Sequence, residues 1–220
     1  MDPTKIILDS GNWKDFKAKL SKLEPKEKGD CFELLTKAFL ETDPRYTTKL
    51  QYVWHHSKVP TKTRKKLNLP AQDEGIDLVA KSREGEYWAI QCKYKTDEDS
   101  SLTRRELSTF TDLTFNICKG FSVALACTTA DRFSAKLKMH GERISYIAGD
   151  TWRALDETAF TRIHKHLRGV RIPKPRRFKP RKHQQRAIRN AVKHFVKEKE
   201  RRGKMIMPCG TGKSLTGYWI

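Results

Sequence analysis

Asp77, Gln91 and Lys93 are polar residues set into two otherwise apolar, alternating runs, Ile76-Asp77-Leu78-Val79-Ala80 and Tyr87-Trp88-Ala89-Ile90-Gln91-Cys92-Lys93-Tyr94-Lys95. The alternation reads as two strands, with Ile76, Leu78 and Ala80 on one face of the first and Trp88, Ile90 and Cys92 on one face of the second. Bringing these faces together sets Ile76 opposite Cys92 and Leu78 opposite Ile90. It also requires a loop with an odd number of residues. Arg83-Glu84-Gly85 supplies one, with Gly85 in the left-handed position. The same register puts Asp77 opposite Gln91, with Lys93 diagonal to it on that face. Two strand-borne oxygens beside a lysine suit metal-assisted phosphodiester hydrolysis. Asp77 and the Gln91 side-chain oxygen would hold Mg²⁺ or Mn²⁺, the Cys92 carbonyl and water would complete the shell, and Lys93 would orient the water or stabilise the transition state. On the alternation alone, the competing reading is the exposed polar face of an edge hairpin. Asp77 favours the site, because aspartate is depleted from strand interiors.

A second chemical run is Met205-Ile206-Met207-Pro208-Cys209-Gly210-Thr211-Gly212-Lys213-Ser214. An apolar strand, a Gly-rich turn and a Lys-Ser pair opening a helix form a phosphate cradle. Backbone N–H groups around Gly210, Thr211 and Gly212 meet phosphate oxygens, Lys213 reaches the β/γ-phosphates, and Ser214 ligates Mg²⁺. The first glycine of the generic pattern falls at Met207, a departure from it.

These residues need scaffolds, and the apolar periodicities supply a mixed α/β order. Helices are expected at 12–23 and 26–41, strands at 50–54, 76–81 and 86–95, a helix at 103–118 and a strand at 121–128. A helix at 131–139, a strand at 143–147 and one or two closing helices over 150–167 follow. The expected fold class is a mixed central sheet flanked by helices, with 37% hydrophobic residues providing a core. A further helix at 182–200 leads into the phosphate loop.

Lys and Arg number 46 against 26 Asp and Glu, a net charge of +20 that calls for an acidic partner. It is unevenly placed: residues 162–204 hold 18 basic and 2 acidic residues, a net of +16 that leaves +4 for the rest. Pro173, Pro175 and Pro180 punctuate this stretch and favour extended backbone. Three parts are therefore expected: a domain over 1–168, a basic Pro-rich linker over 169–181 and a second domain starting at 182. Arg176 and Arg177 in the linker are candidate DNA contacts. No apolar run reaches the roughly 18 residues of a membrane span. The N-terminus has no secretory pattern, and the five cysteines include no Cys-x-x-Cys spacing. A cytoplasmic protein with reduced thiols and no membrane partner is expected.

With those residues in place, the segment from about 29 to 150 resembles the PD-(D/E)xK nucleases, and within them the Mrr-like branch. The resemblance rests on Gly29-Asp30-Cys31-Phe32-Glu33, Gly75-Ile76-Asp77 and Gln91-Cys92-Lys93. It implies metal ligands at Asp77 and Gln91, a catalytic lysine at Lys93 and a further acidic ligand at Glu33, which otherwise reads as a solvated helix carboxylate. The Gln-x-Lys form departs from the commoner Asp/Glu-x-Lys but is associated with this branch. The phosphate loop, with His183-Gln184-Gln185-Arg186-Ala187-Ile188 upstream, resembles superfamily 2 helicases and the translocating subunits of restriction enzymes. Gln184 there matches the residue that reads adenine, which implies ATP with Mg²⁺.

The sequence stops six residues after Ser214, without a second acidic motor motif, so an N-terminal piece of a longer polypeptide is expected. Together the two resemblances look like the front of a single-polypeptide Type ISP restriction-modification enzyme. The implied partners are double-stranded DNA, downstream motor, methyltransferase and target-recognition domains, and a second complex for double-strand cutting. S-adenosylmethionine is implied only if a methyltransferase follows. Alternatives are a nuclease-helicase of repair, recombination or phage defence without a methyltransferase, and a catalytically silent DNA-binding domain. Lys95 reads as a surface lysine or a phosphate contact. Arg64, Lys65 and Lys66, with Lys62, read as a loop that tracks DNA or is simply solvated. His55 and His56 read as strand-end residues.

Overall fold

The computed structural model describes residues 1–72, 74–97, 99–134, 144–170, 179–208 and 211–218. The chain divides into two compact units, Met1–Lys174 and Pro175–Ile220.

The first unit is built on five strands: β1 (Leu50–His55), β2 (Leu78–Ser82), β3 (Tyr87–Lys93), β5 (Phe121–Thr128) and β7 (Ile144–Ile147). Their order is β1-β2-β3-β5-β7, antiparallel on the β1-β2-β3 side and parallel from β3 to β7. A two-stranded parallel pair, β4 (Ser101–Leu102) with β6 (Arg132–Phe133), lies apart from this sheet. The sheet is mixed because a tight turn joins β2 to β3 and residues 56–77 return the chain antiparallel from β1, while longer crossovers lead to the parallel strands β5 and β7.

Helices pack on one face: α1 (Pro3–Leu8), α2 (Trp13–Leu20), α3 (Pro25–Thr42) and, after β7, α7 (Gly149–Arg153) and α8 (Glu157–Leu167). Local chemistry fixes their starts. Asn12 accepts the Asp15 N–H at 2.9 Å, Asp156 accepts the Ala159 N–H at 2.8 Å, and Pro25 stands at the first turn of α3. Their apolar stripes bury Phe16, Phe32, Phe39 and Phe160 around Trp152, against Leu78, Ala80, Ile90, Leu125 and Cys127 of the sheet. Trp152 donates its indole N–H to the Thr128 carbonyl at 2.9 Å, tying α7 to the end of β5.

The opposite face carries Val79, Ala89, Ala124 and Ala126, covered by Leu67, Leu69, Leu107, Phe110 and Leu113. The helix expected over 103–118 is here a 3₁₀ turn (Arg105–Leu107), a short α-helix α6 (Ser108–Asp112) and a π turn (Leu113–Ile117). Ser108 and Thr111 turn their hydroxyls back onto the Arg105 and Ser108 carbonyls, which competes with a regular helix.

Four expectations are corrected. The 62–66 cluster lies on a helix, α5 (Thr61–Leu67), ended by left-handed Asn68, and not in a loop. Residues 132–133 form β6 and not the start of a helix; residues 135–139 of that expected helix lie outside the described residues. Strands β2 and β3 are interior to the sheet and buried on both faces, so they are no edge hairpin. Ile76 packs with Val79 and not on the Leu78 face, because the pleat breaks before β2 begins. Helix α1 had no counterpart in the sequence reading; Asp2 caps it and Ile6 and Ile7 anchor it. No helix among the described residues is long and apolar enough to cross a membrane.

The second unit has α9 (Lys182–Val192), a π turn (Lys193–Lys197) and α10 (Lys213–Tyr218); the strand expected near 205–207 is not formed. Most of the linker, residues 171–178 with Arg176 and Arg177, lies outside the described residues, as do Cys209 and Gly210.

Trp152→Ala removes the ring around which the helical layer packs. Urea unfolding should show a loss of about 3–5 kcal/mol with an unchanged denaturant slope.

Candidate active site

The β2–β3 ladder pairs Leu78 with Ile90, Val79 with Ala89 and Ala80 with Trp88, the register the odd loop requires. Gly85 has φ +92 in that loop. Ser82 N–H donates to the Glu86 carbonyl at 2.8 Å, so even-numbered pairs exchange hydrogen bonds and the next exchange would join Ile76 to Cys92. That exchange is replaced: Cys92 N–H donates instead to the Asp77 carboxylate at 2.5 Å. Asp77 turns its own carbonyl the other way, onto the His56 N–H at 2.8 Å beyond the end of β1. Gly75, with φ +132, permits the turn that leads in. The ladder thus opens at Asp77, and the opening exposes polar groups of β3 that a continued sheet would cover.

Gln91 follows on β3 in register with Ala126 of β5. It is buried, and its side-chain oxygen has no hydrogen-bond partner among the described residues. An acceptor orphaned in this way costs on the order of 1–3 kcal/mol unless something electropositive meets it. Lys93, two residues on and half-buried, shares the Gln91 face, and no ion pair holds it among the described residues. Glu33 projects from α3 to the His55 ring nitrogen Nδ1 at 2.7 Å, at the end of β1. The Cys92 thiol packs on the helical side of the sheet. Burial first, then its contact with the Cys127 thiol and the charges of Asp77 and Glu33, push it well above the usual thiol range. It is held protonated and is a poor ligand, so only the main chain of Cys92 suits a metal.

The oxygens of Asp77 and Gln91 fit a hard divalent cation. The buried, unpartnered Gln91 oxygen is the observation that supports this. Among the described residues no group of three or more His, Cys, Asp or Glu side chains is arranged to hold a metal. Such a site would therefore rely on the amide and main-chain oxygens.

Other candidates sit differently from what their sequence positions suggest. Lys95 is engaged by Glu106 at 2.5 Å. The Glu106 carboxyl stays below its usual range: burial opposes this, but hydrogen bonds from Lys95 and Thr103 outweigh it. Arg64 is not a free phosphate contact, because its guanidinium donates to the carbonyls of His56 and Pro70. Lys66 lies over the Tyr87 ring at 5.0 Å, and Lys65 is exposed. Arg64 is the residue whose role the sequence hid. It fastens α5 to the His56 that holds Asp77, and only the His56–Asp77 contact in three dimensions shows it.

In the second unit Gln184 is buried. Its amide nitrogen donates to the Thr211 carbonyl at 3.2 Å, and its oxygen accepts the Arg181 N–H at 2.8 Å. Gly212 has φ +79, and a Cβ there would stand 2.7 Å from the Gln184 amide nitrogen. Lys213 and Ser214 open α10 and are exposed. Gln184, Thr211, Gly212, Lys213 and Ser214 are thus brought to one end of this unit.

Residues 41–147 match the model of a restriction endonuclease family, and residues 177–220 match that of the res subunit of type III restriction enzymes. Among solved structures, the chain is similar to an ATP-dependent Type ISP restriction-modification enzyme, LlaBIII, bound to DNA. The identity is 26%, the TM-score is 0.54, and the match covers 94% of this chain and 12% of that one. The chain therefore spans about an eighth of the length of that enzyme. The restriction endonuclease MspJI in complex with a 27-mer oligonucleotide matches at 16% identity over 70% of this chain and 32% of that one, with a TM-score of 0.38. A protein of unknown function matches at 17% over 72% and 78%, also with a TM-score of 0.38. No curated protein sequence matches the chain. The chain carries a restriction-endonuclease-like α/β domain followed by a helicase-like segment.

Gln91→Leu separates a ligand from a structural residue. Since the oxygen has no partner to lose among the described residues, the unfolding free energy should not fall, and relief of the orphaned acceptor should raise it by up to about 1–3 kcal/mol. Mn²⁺ should raise the melting temperature of the parent and leave that of the variant unchanged.

Proposed function

We propose that residues 1–168 form the metal-dependent DNA endonuclease module of an ATP-dependent, DNA-translocating restriction enzyme. The module would hydrolyse phosphodiesters with little sequence preference of its own. The opened β2–β3 ladder supports this reading, with the Asp77 carboxylate on the Cys92 amide, and the Gln91 oxygen and Lys93 without partners among the described residues.

Asp77 and Gln91 would hold Mg²⁺ or Mn²⁺, with the Cys92 carbonyl and Glu33 as further ligands. The bound cation would supply Lewis-acid stabilisation of charge on the phosphate and a more acidic water. The chain's own residues do the rest. The Cys92 amide fixes the Asp77 carboxylate in place before any ligand arrives, so little reorganisation is needed at reaction. Lys93 brings a positive charge to the same face. It would hydrogen-bond the attacking water or the non-bridging phosphate oxygen as negative charge grows there. Glu33, held by His55, would set the local charge on the α3 side.

ATP with Mg²⁺ would be bound through Gln184, Gly210, Thr211, Gly212, Lys213 and Ser214 when the rest of a motor is joined. The similarity to LlaBIII, whose structure is bound to DNA, supports duplex DNA as the substrate and further domains of one polypeptide as partners. The exposed Lys65, with Arg176 and Arg177 of the connector, are the proposed backbone contacts. Lys95 would join them only by leaving Glu106. S-adenosylmethionine enters only with a methyltransferase domain.

Plasmid incubated with the chain and Mn²⁺ should be nicked, and EDTA should abolish nicking. Asp77→Ala and Lys93→Ala should each lower the rate by at least about 100-fold. Equal nicking by both variants would refute the assignment.

A further inference from the structure

On the face of the sheet that carries Gln91 and Lys93, strand β1 presents two aromatic rings. Tyr52 and Trp54 stack with ring centroids 5.3 Å apart and planes 17° from parallel. Trp54 rests against the core beneath, whereas Tyr52 is 50% exposed at the edge of the sheet. Tyr52 pairs across the sheet with Lys81, and Lys81 in turn pairs with Tyr87, over whose ring Lys66 sits at 5.0 Å. The row thus alternates aromatic and cationic side chains, and α5 adds exposed Lys62 and Lys65 beside it. Trp54 faces Val79, two residues from Asp77, so the row ends about 7 Å along the strand from the opened ladder.

Exposed ring faces beside lysines meet two features of a nucleic-acid strand at once: bases whose faces are uncovered, and phosphates at regular spacing. A duplex offers only the second, since its base faces are stacked internally. We propose that exposed Tyr52, with Lys81 beside it and Lys66 over the buried Tyr87 ring, binds an unpaired DNA strand next to the cleavage site. One base stacks on Tyr52, and the lysines take the flanking phosphates. This rests on reading the module as a DNA nuclease and names the form of DNA that its sheet face accepts. The already stacked Tyr52–Trp54 pair holds the platform ready for a base, so little side-chain freedom is lost on binding.

The test uses the full chain in EDTA, so that it does not depend on cleavage, with a single-stranded oligonucleotide of about 16 nucleotides carrying one 2-aminopurine. Salt near 0.3 M suppresses the phosphate-only binding of the basic connector. The parent chain and Tyr52→Phe should quench the 2-aminopurine emission, while Tyr52→Ala should bind on the order of 10-fold more weakly with most of the quench gone. Lys66→Ala should weaken binding but leave the quench at saturation. Absence of quenching by the parent, an unchanged quench in Tyr52→Ala, or equal binding and quenching of the same label within a duplex would overturn the proposal. Failure of plasmid nicking would count against the nuclease reading and not against this one.

Discussion

The arrangement depends on one hydrogen bond, from the Cys92 amide to the Asp77 carboxylate. It replaces a ladder bond that the parity of the β2–β3 hairpin would otherwise make to Ile76. Because a side chain does this work, the backbone of residues 75–77 is released from the sheet. Ile76 then drops into the core under α5 and α6, while Asp77 stays at the strand end. The released segment is held from the β1 side by His56, and His56 is held by Arg64 of α5. Burial of Leu67 and Leu69 anchors α5 itself. The polar strand end and the apolar core are thus one structure, in which the Gln91 oxygen has no hydrogen-bond partner among the described residues.

Much of the site was legible from residue order because a period of two is rigid. Once the loop has an odd length, Leu78 must face Ile90, as it does; the expected pairing of Asp77 with Gln91 lies beyond the end of that ladder. The alternation could not say that both faces of β2 and β3 would be covered, since small residues such as Ala80 and Ala89 suit a two-sided interior strand as well as a one-sided one. Nor could it show where the pleat ends: Ile76 continues the pattern in sequence but changes face in space. The basic run 62–66 looked like a solvated loop because four charges hide the burial of Leu67 and the Asn68 cap. Arg64 and Lys95 looked like surface cations because their partners, the His56 and Pro70 carbonyls and Glu106, are set by tertiary structure. The Ser- and Thr-rich stretch over 103–118 kept a helical apolar stripe but not a single regular helix.

The charge of +20 acquires a different meaning once it is placed. The sheet unit holds two of its cations in internal duties, with Arg64 on carbonyls and Lys95 on Glu106. The excess lies over residues 162–204, ahead of a phosphate loop whose Gln184 is engaged with the loop backbone. Charge that would draw in DNA and groups that would act on it are therefore largely separate along the chain. Long-range attraction and local chemistry can then respond differently to salt.

Anomalous scattering from crystals soaked in Mn²⁺ tests the central claim most directly. An ordered Mn²⁺ bonded to an Asp77 oxygen and to the Gln91 side-chain oxygen, at about 2.2 Å from each, is the expected result. A chain that binds Mn²⁺ elsewhere, or leaves the Gln91 oxygen without a cation at saturating metal, would contradict it.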